Sequence, residues 1–238
     1  MRLGALTVAS ALALALAAAS EAGAALDGPR ISPSVAATTY LVVRPNRPGA
    51  WLALRSRPGG GRVLVRVRSW TQFGTRPALA VVREARGWLG LAAPELPNGR
   101  VGWVRRATVS ISLTRVSLVA DLSERTLIVK VGDAAVRRIP VAVGDPGTPT
   151  PTGRFAVTDK FPGAPYGPYF GCCVLALSGH QPRLPVGWDG GDLLGIHGTN
   201  AAWSIGRAAS AGCLRASDRD MRFLTHFVPV GTPVFIHP

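Results

Sequence analysis

The sequence predicts a mainly β protein with one or two short helices, built in two parts. Three observations predict it. Val63, Val65 and Val67 alternate with Arg62, Leu64, Arg66 and Arg68, the period-two pattern of a half-buried strand. From Val116 the chain runs VSLVADL, TLIVKV and VRRIPVAVG, short apolar runs separated by turn residues at Ser123-Glu124 and Gly132-Asp133. Helical spacing is confined to Ser217–Phe227, with Met221, Leu224 and Phe227 on one face.

The 238 residues carry a formal charge of +14, and hydrophobic residues make up 47% of them, enough for a proper core. The charge is uneven. Residues 25–112 hold fourteen Arg against three acids (Asp27, Glu84, Glu95), whereas residues 113–238 hold twelve Lys/Arg against nine acids. A basic N-terminal half favours an anionic polymer. Nucleic acid is one candidate, but no recognition motif is present and the leader at the N-terminus argues for export; anionic cell-wall polymers are the expected partner of that half, and the alternative is a solvated, arginine-rich surface.

Met1 to about Ala24 has the plan of a secretory leader: Arg2, an apolar Leu3–Ala19 run, and Ala22-Gly23-Ala24 as a small-x-small cleavage site. An exported protein, extracellular or in the wall or periplasm, is therefore expected, with no membrane contact beyond the leader. The alternative is an uncleaved anchor. Residues 25–39 are read as a linker. Residues 40–112 read as a small all-β unit, with turns at Gly59-Gly60-Gly61 and at Asn98-Gly99, the latter between strands around Gly87–Leu91 and Gly102–Val104. Trp88 and Trp103 are expected in its core rather than on a ligand.

In residues 113–238 three strands lead to a Gly144–Gly147 turn. Thr148–Gly153 (TPTPTG) is stiff and extended, because each Pro fixes its own φ and biases its predecessor. Phe161–Gly171 (FPGAPYGPYFG) is a long Pro/Gly/aromatic loop, a candidate wall of a groove, with Tyr166 and Tyr169 as candidate contacts. Cys172–Leu177 is a buried strand in which either cysteine is expected as a small core residue. A vicinal disulfide there is possible but strained. Ser217 and Asp220 suit the first turn of the helix as caps. Val234–Ile236 is a last strand. His226 and His237 are structural or surface residues.

The chemistry concentrates in Gly195–Arg215 (GIHGTNAAWSIGRAASAGCLR). His197 follows the apolar run Leu193–Ile196, and Cys213 sits fifteen residues further on in the small-residue turn Ser210-Ala211-Gly212-Cys213. A thiol attacks as the thiolate and needs a base beside it. A strand-borne histidine facing a cysteine on a tight turn meets that need. Gly212 lets a substrate backbone approach. The N–H groups of Gly212 and Cys213 are candidate donors to an oxyanion. Three cysteines leave at least one thiol unpaired within the chain.

His197-Gly198-Thr199-Asn200 followed by Ser210, Gly212, Cys213, Leu214 and Arg215 resembles the catalytic signature of the L,D-transpeptidases, with Ala211 where many members have His. The resemblance spans about Val116–Pro238 and includes the TPTPTG segment. Gly87–Val104 resembles the end of the small Src-homology-type barrels that precede catalytic domains in bacterial wall enzymes. The resemblance implies a wall-associated barrel over residues 40–112 and a catalytic domain over residues 113–238. It implies Cys213 as nucleophile and His197 as base and then acid. The carbonyl of Gly198 would orient the imidazole, Ser210 would support the turn, and Arg215 would bind a substrate carboxylate or brace the turn by an ion pair. It also implies peptidoglycan peptide stems as substrate, 3→3 cross-links or trimmed stems as product, no cofactor or metal, and acylation by carbapenems.

Three other readings compete. A papain-like peptidase would use Cys173 ahead of His197. A non-catalytic wall-binding protein would need neither residue. A zinc site would need Cys172, Cys173, His180 and His197, although no CxxC or HxxxH spacing supports one. A role for His180 near the site is a separate possibility.

Overall fold

The computed structural model describes residues 38–47 and 49–238. The expected leader and nearly all of the expected linker lie outside the described residues. Strands β1 (Tyr40–Pro45), β2 (Leu52–Arg55), β3 (Val63–Val67), β4 (Leu79–Ala85), β5 (Trp88–Leu91), β6 (Gly102–Arg105) and β7 (Val109–Thr114) form one sheet in the order β3-β2-β6-β5-β4-β1-β7. Their apolar faces enclose Val43, Leu54, Leu79, Leu89 and Leu91. Trp88 is buried, as expected, with the Arg105 guanidinium over its ring. Asn98-Gly99 forms a turn between β5 and β6, as expected, closed by the Arg100 N–H on the Pro97 carbonyl at 3.0 Å, within a longer connection. β5 and β6 pair with ten residues between them, and Asn98 faces outward to exchange hydrogen bonds with the backbone of His180.

The second half begins with the three expected strands. β8 (Val116–Asp121), β9 (Thr126–Val131) and β10 (Ala134–Pro140) form a meander. The third run is shorter than expected. Val141 and Ala142 leave the meander to bond Arg125 and Arg215, and Val143–Gly144 becomes β11 in a separate small parallel pair. β12 (Gly153–Pro162), β13 (Cys173–His180), β14 (Leu193–His197), β15 (Ala208–Ser210), β16 (Leu214–Arg215), α1 (Asp218–Phe227) and β17 (Pro233–His237) complete the chain. The main sheet runs β10-β9-β8-β17-β12-β13-β14-β16.

Ser217 caps α1, its hydroxyl accepting from the Asp220 N–H at 3.1 Å. A cap of this kind contributes about 1 kcal/mol. Asp220 also binds Arg137 at 2.6 Å, tying the helix to β10. Met221 and Leu224 are buried against the sheet, as their spacing predicts. Phe227 is not; it stacks on Phe223 at the surface. His226 and His237 are exposed. Among the described residues, no helix is long and apolar enough to cross a membrane.

The two sheets keep separate cores yet pack within one compact unit. Thr71 donates to the buried Asp159 on β12, Phe73 stacks on Phe161 with ring centroids 4.3 Å apart, and His180 meets the Pro94 carbonyl at 2.7 Å. This packing places residues from both halves around one groove.

Candidate active site

β14 is a continuous apolar run because both its faces are covered: Leu194, Ile196 and His197 are all buried. β16 pairs with it in parallel, Ile196 opposite Leu214 and His197 opposite Arg215. Cys213 precedes that register by one residue and so lies beside Gly195. Its Sγ is 4.0 Å from where a Cβ on Gly195 would stand, so glycine leaves the sulfur its place. Residues 195 and 197 point to the same face of a strand. His197 and Cys213 therefore share a face on adjacent strands, and both line a groove of about 810 Å³.

The imidazole is held from three sides. Its Nδ1 donates to the Gly198 carbonyl at 2.6 Å, the backbone acceptor expected for that role. The rings of Tyr169 and Phe170 lie 5.4 and 5.0 Å from it. Its Nε2 is buried and has no hydrogen-bond partner among the described residues. A donating Nδ1 fixes the neutral tautomer with Nε2 as the acceptor. Burial drives the His197 pKa down from 6.5 to about 4; the Gly198 bond opposes that, and the Arg215 charge adds to it. Burial likewise raises the Cys213 pKa above 9.0, while the Gly195 backbone bond and the Arg215 charge pull it down. The resting pair is thus a neutral thiol beside a neutral base.

The cysteine turn is built by Ser210, whose hydroxyl donates to the Cys213 carbonyl at 2.6 Å and accepts from the Gly212 N–H at 3.1 Å. That second bond corrects one expectation. The Gly212 N–H is spent inside the turn, so the Cys213 N–H is the remaining candidate for an oxyanion. Gly212 adopts φ +115°, which disfavours any side chain, and a Cβ there would collide with the Gln181 amide.

Gln181 itself is a residue that sequence reasoning missed. Its Nε2 reaches the carbonyls of Thr148, Pro149 and Ala211 at 3.1–3.2 Å, joining the TPTPTG segment to the cysteine turn. Thr148 Oγ1 and the Asp145 N–H also bond the Ser210 carbonyl. A lone glutamine just past a strand gives no signal of this. Asp218 was missed too: its Oδ1 accepts from the Cys172 N–H at 3.0 Å, fixing the end of the aromatic segment.

Arg215 is buried and braces the turn, but not through an ion pair. Its Nη2 donates to the Tyr169 hydroxyl at 2.5 Å, its Nη1 reaches the Ala209 carbonyl at 3.3 Å, and its guanidinium lies over the Tyr169 ring. Tyr169 thus supports Arg215 and His197, while Tyr166 is half-exposed on the groove wall beside Phe161. The 161–171 segment is more ordered than a structureless loop, with two 3₁₀ turns at Ala164–Tyr166 and Pro168–Phe170. Cys172 and Cys173 form a disulfide with each other, which leaves Cys213 as the free thiol and removes Cys173 as a rival to it. His180 faces the groove, its Nδ1 3.0 Å from Asp192. Among the described residues, no three His, Cys, Asp or Glu are grouped to hold a metal ion.

Residues 115–236 match the YkuD family, the L,D-transpeptidase catalytic domain. A putative L,D-transpeptidase YkuD of Bacillus licheniformis is 38% identical over 123 residues, and that of Bacillus subtilis is 34% identical over 122. These alignments cover 51% and 50% of this chain and 65% of each relative. An L,D-transpeptidase from Mycobacterium smegmatis aligns over 68% of this chain and 91% of its own, at 20% identity and a TM-score of 0.43. With the matched region spanning half of its length and containing both His197 and Cys213, the chain belongs to the YkuD family of L,D-transpeptidase catalytic domains.

Proposed function

We propose that this protein is a peptidoglycan L,D-transpeptidase in which Cys213 is the nucleophile and His197 its general base. The observation that carries this reading is the His197 ring: oriented through Nδ1 by Gly198, with an unpartnered Nε2 in the same groove as the free thiol. In the first half-reaction Sγ attacks the carbonyl of the third stem residue as Nε2 takes the thiol proton. The Cys213 N–H steadies the oxyanion. The tetrahedral adduct collapses, the C–N bond to the terminal D-Ala breaks, and the imidazolium returns its proton to the leaving amine. In the second, the amine of another stem attacks the thioester, gives a proton to Nε2 and expels the thiolate, which recovers that proton. The product is a 3→3 cross-link. Water in place of the amine gives a trimmed stem. A positioned base of this kind contributes roughly 10²–10⁴ in rate.

Residues 40–112 serve in this proposal as a small barrel-type unit in front of the catalytic domain of residues 113–238, and their arginines suit anionic wall polymers. The Cys172–Cys173 disulfide supports export, because disulfides persist in oxidising compartments. The test is incubation with purified disaccharide-tetrapeptide, with products read by mass. A cross-linked dimer or a tripeptide, lost in Cys213→Ala, is expected. Turnover that survives Cys213→Ala would dismiss the assignment.

A further inference from the structure

The groove does not end at the thiol, and its far end carries charges of both signs. Directly paired residues of adjacent strands point to one face. Asp159 pairs with Ala176, and Ala176 pairs with Gly195, over which the Cys213 sulfur sits. Two small residues therefore floor a trough between the sulfur and Asp159. Two strand spacings make it about 10 Å long. Across from this floor stand residues of the other half of the chain: Arg68 just after β3, Trp70 and Phe73, and Glu95 after β5.

Residues 25–112 contain only three acids, and one of them, Glu95, faces this groove. The charges of Arg68, Asp159 and His180 all act on Glu95, and Asp192 pairs with His180 at the same end. Arg68 and Glu95 both line the trough, so it carries a basic and an acidic group on the same side. At the near end lie the free thiol of Cys213 and the buried, unpartnered Nε2 of His197, so the charged far end and the reacting pair share one groove.

We propose that this far end recognises the amino-acid head group at the tip of the acylated residue's side chain, its ammonium held by Glu95 and Asp159 and its carboxylate by Arg68. The inference rests on the function proposed above. An extended chain of six bonds, from the attacked carbonyl carbon to a side-chain nitrogen, spans about 7.5 Å. Added to the reach of the sulfur, that length fills the trough. Lysine supplies the ammonium alone. Diaminopimelate supplies ammonium and carboxylate together, and matches both signs of charge. Trp70 and Phe73 add aromatic faces that suit an ammonium. On this account the N-terminal half completes the substrate site and selects the diamino acid.

The experiment compares three disaccharide-tetrapeptides as donors, with kcat/KM for D-Ala release as the readout. Their third residues are diaminopimelate, lysine, and diaminopimelate acetylated on its side-chain amine. The parent chain is expected to prefer the first over each of the others by about tenfold. Arg68→Gln should collapse the preference over lysine and keep the preference over the acetylated stem. Glu95→Gln should do the reverse. Each ratio is internal to one variant, so partial loss of fold cancels. Equal rates with all three donors in the parent, or both preferences intact in both variants, would overturn the head-group subsite alone. Release of D-Ala from none of the three by the parent would remove the proposed function and the subsite together.

Discussion

His197 makes folding stability depend on pH in a window where few other groups act. In the unfolded chain the imidazole titrates near 6.5; in the folded protein burial holds it near 4. Below pH 6.5 the unfolded chain takes up a proton that the folded one refuses. The stabilisation is thus complete above 6.5 and is lost as pH falls towards 4. That difference in pKa corresponds to about 3 kcal/mol in full, most of which is lost by pH 4.5. Asp121, Asp133 and Asp145 have pKa values below 3.8, so their losses begin only at lower pH. Glu95 has its pKa raised above 4.5, chiefly by burial, and acts in the opposite sense. Urea unfolding at pH 7 and pH 4.5, on the parent and on His197→Gln, measures the difference. The parent should lose about 2–3 kcal/mol more than the variant. Parallel pH profiles for the two proteins would refute the neutral, buried imidazole.

Other outcomes follow from the same geometry. The rate of acylation by a carbapenem should follow a broad bell. Its acid limb lies near pH 4, where His197 protonates and can no longer accept the thiol proton, and its alkaline limb lies above 9.0, where the thiol has lost the proton that Nε2 must hand to the leaving nitrogen; stopped-flow quenching of protein fluorescence reads it. Gly212→Ala forces a Cβ into the Gln181 amide at φ +115°, and should cost about 1–3 kcal/mol in urea unfolding as well as slowing acylation. Tyr169→Phe leaves the Nη2 of the buried Arg215 without its hydroxyl partner, and should cost about 1–3 kcal/mol, measured the same way.

The parts of this protein legible in its sequence are those whose cause is local. The β8–β10 meander follows from apolar runs and turn residues, and the α1 cap follows from Ser217 and Asp220. His197 and Cys213 were readable because each carries its context with it, an apolar run before the histidine and a small-residue turn around the cysteine. Long-range partners were not readable. Gln181 is 30 residues from the Ala211 carbonyl that it binds, and Arg68 and Glu95 reach the groove only because Asn98, Thr71 and Phe73 dock one half on the other. The oxyanion assignment went half astray for a similar reason: a residue-type pattern cannot tell that the Ser210 hydroxyl consumes the Gly212 N–H. Arg215 invites a carboxylate, yet the fold gives it the hydroxyl of Tyr169, whose ring lies 5.4 Å from that of His197.

The central claim is that one thiol, beside one neutral imidazole, carries the acyl group. Trapping the protein during turnover of disaccharide-tetrapeptide, followed by acid quench and peptide mapping by mass, tests it directly. The stem, less its terminal D-Ala, should be found in thioester linkage at Cys213 and should vanish in His197→Gln. An acyl group found on any other residue, or undiminished without the imidazole, would contradict the account.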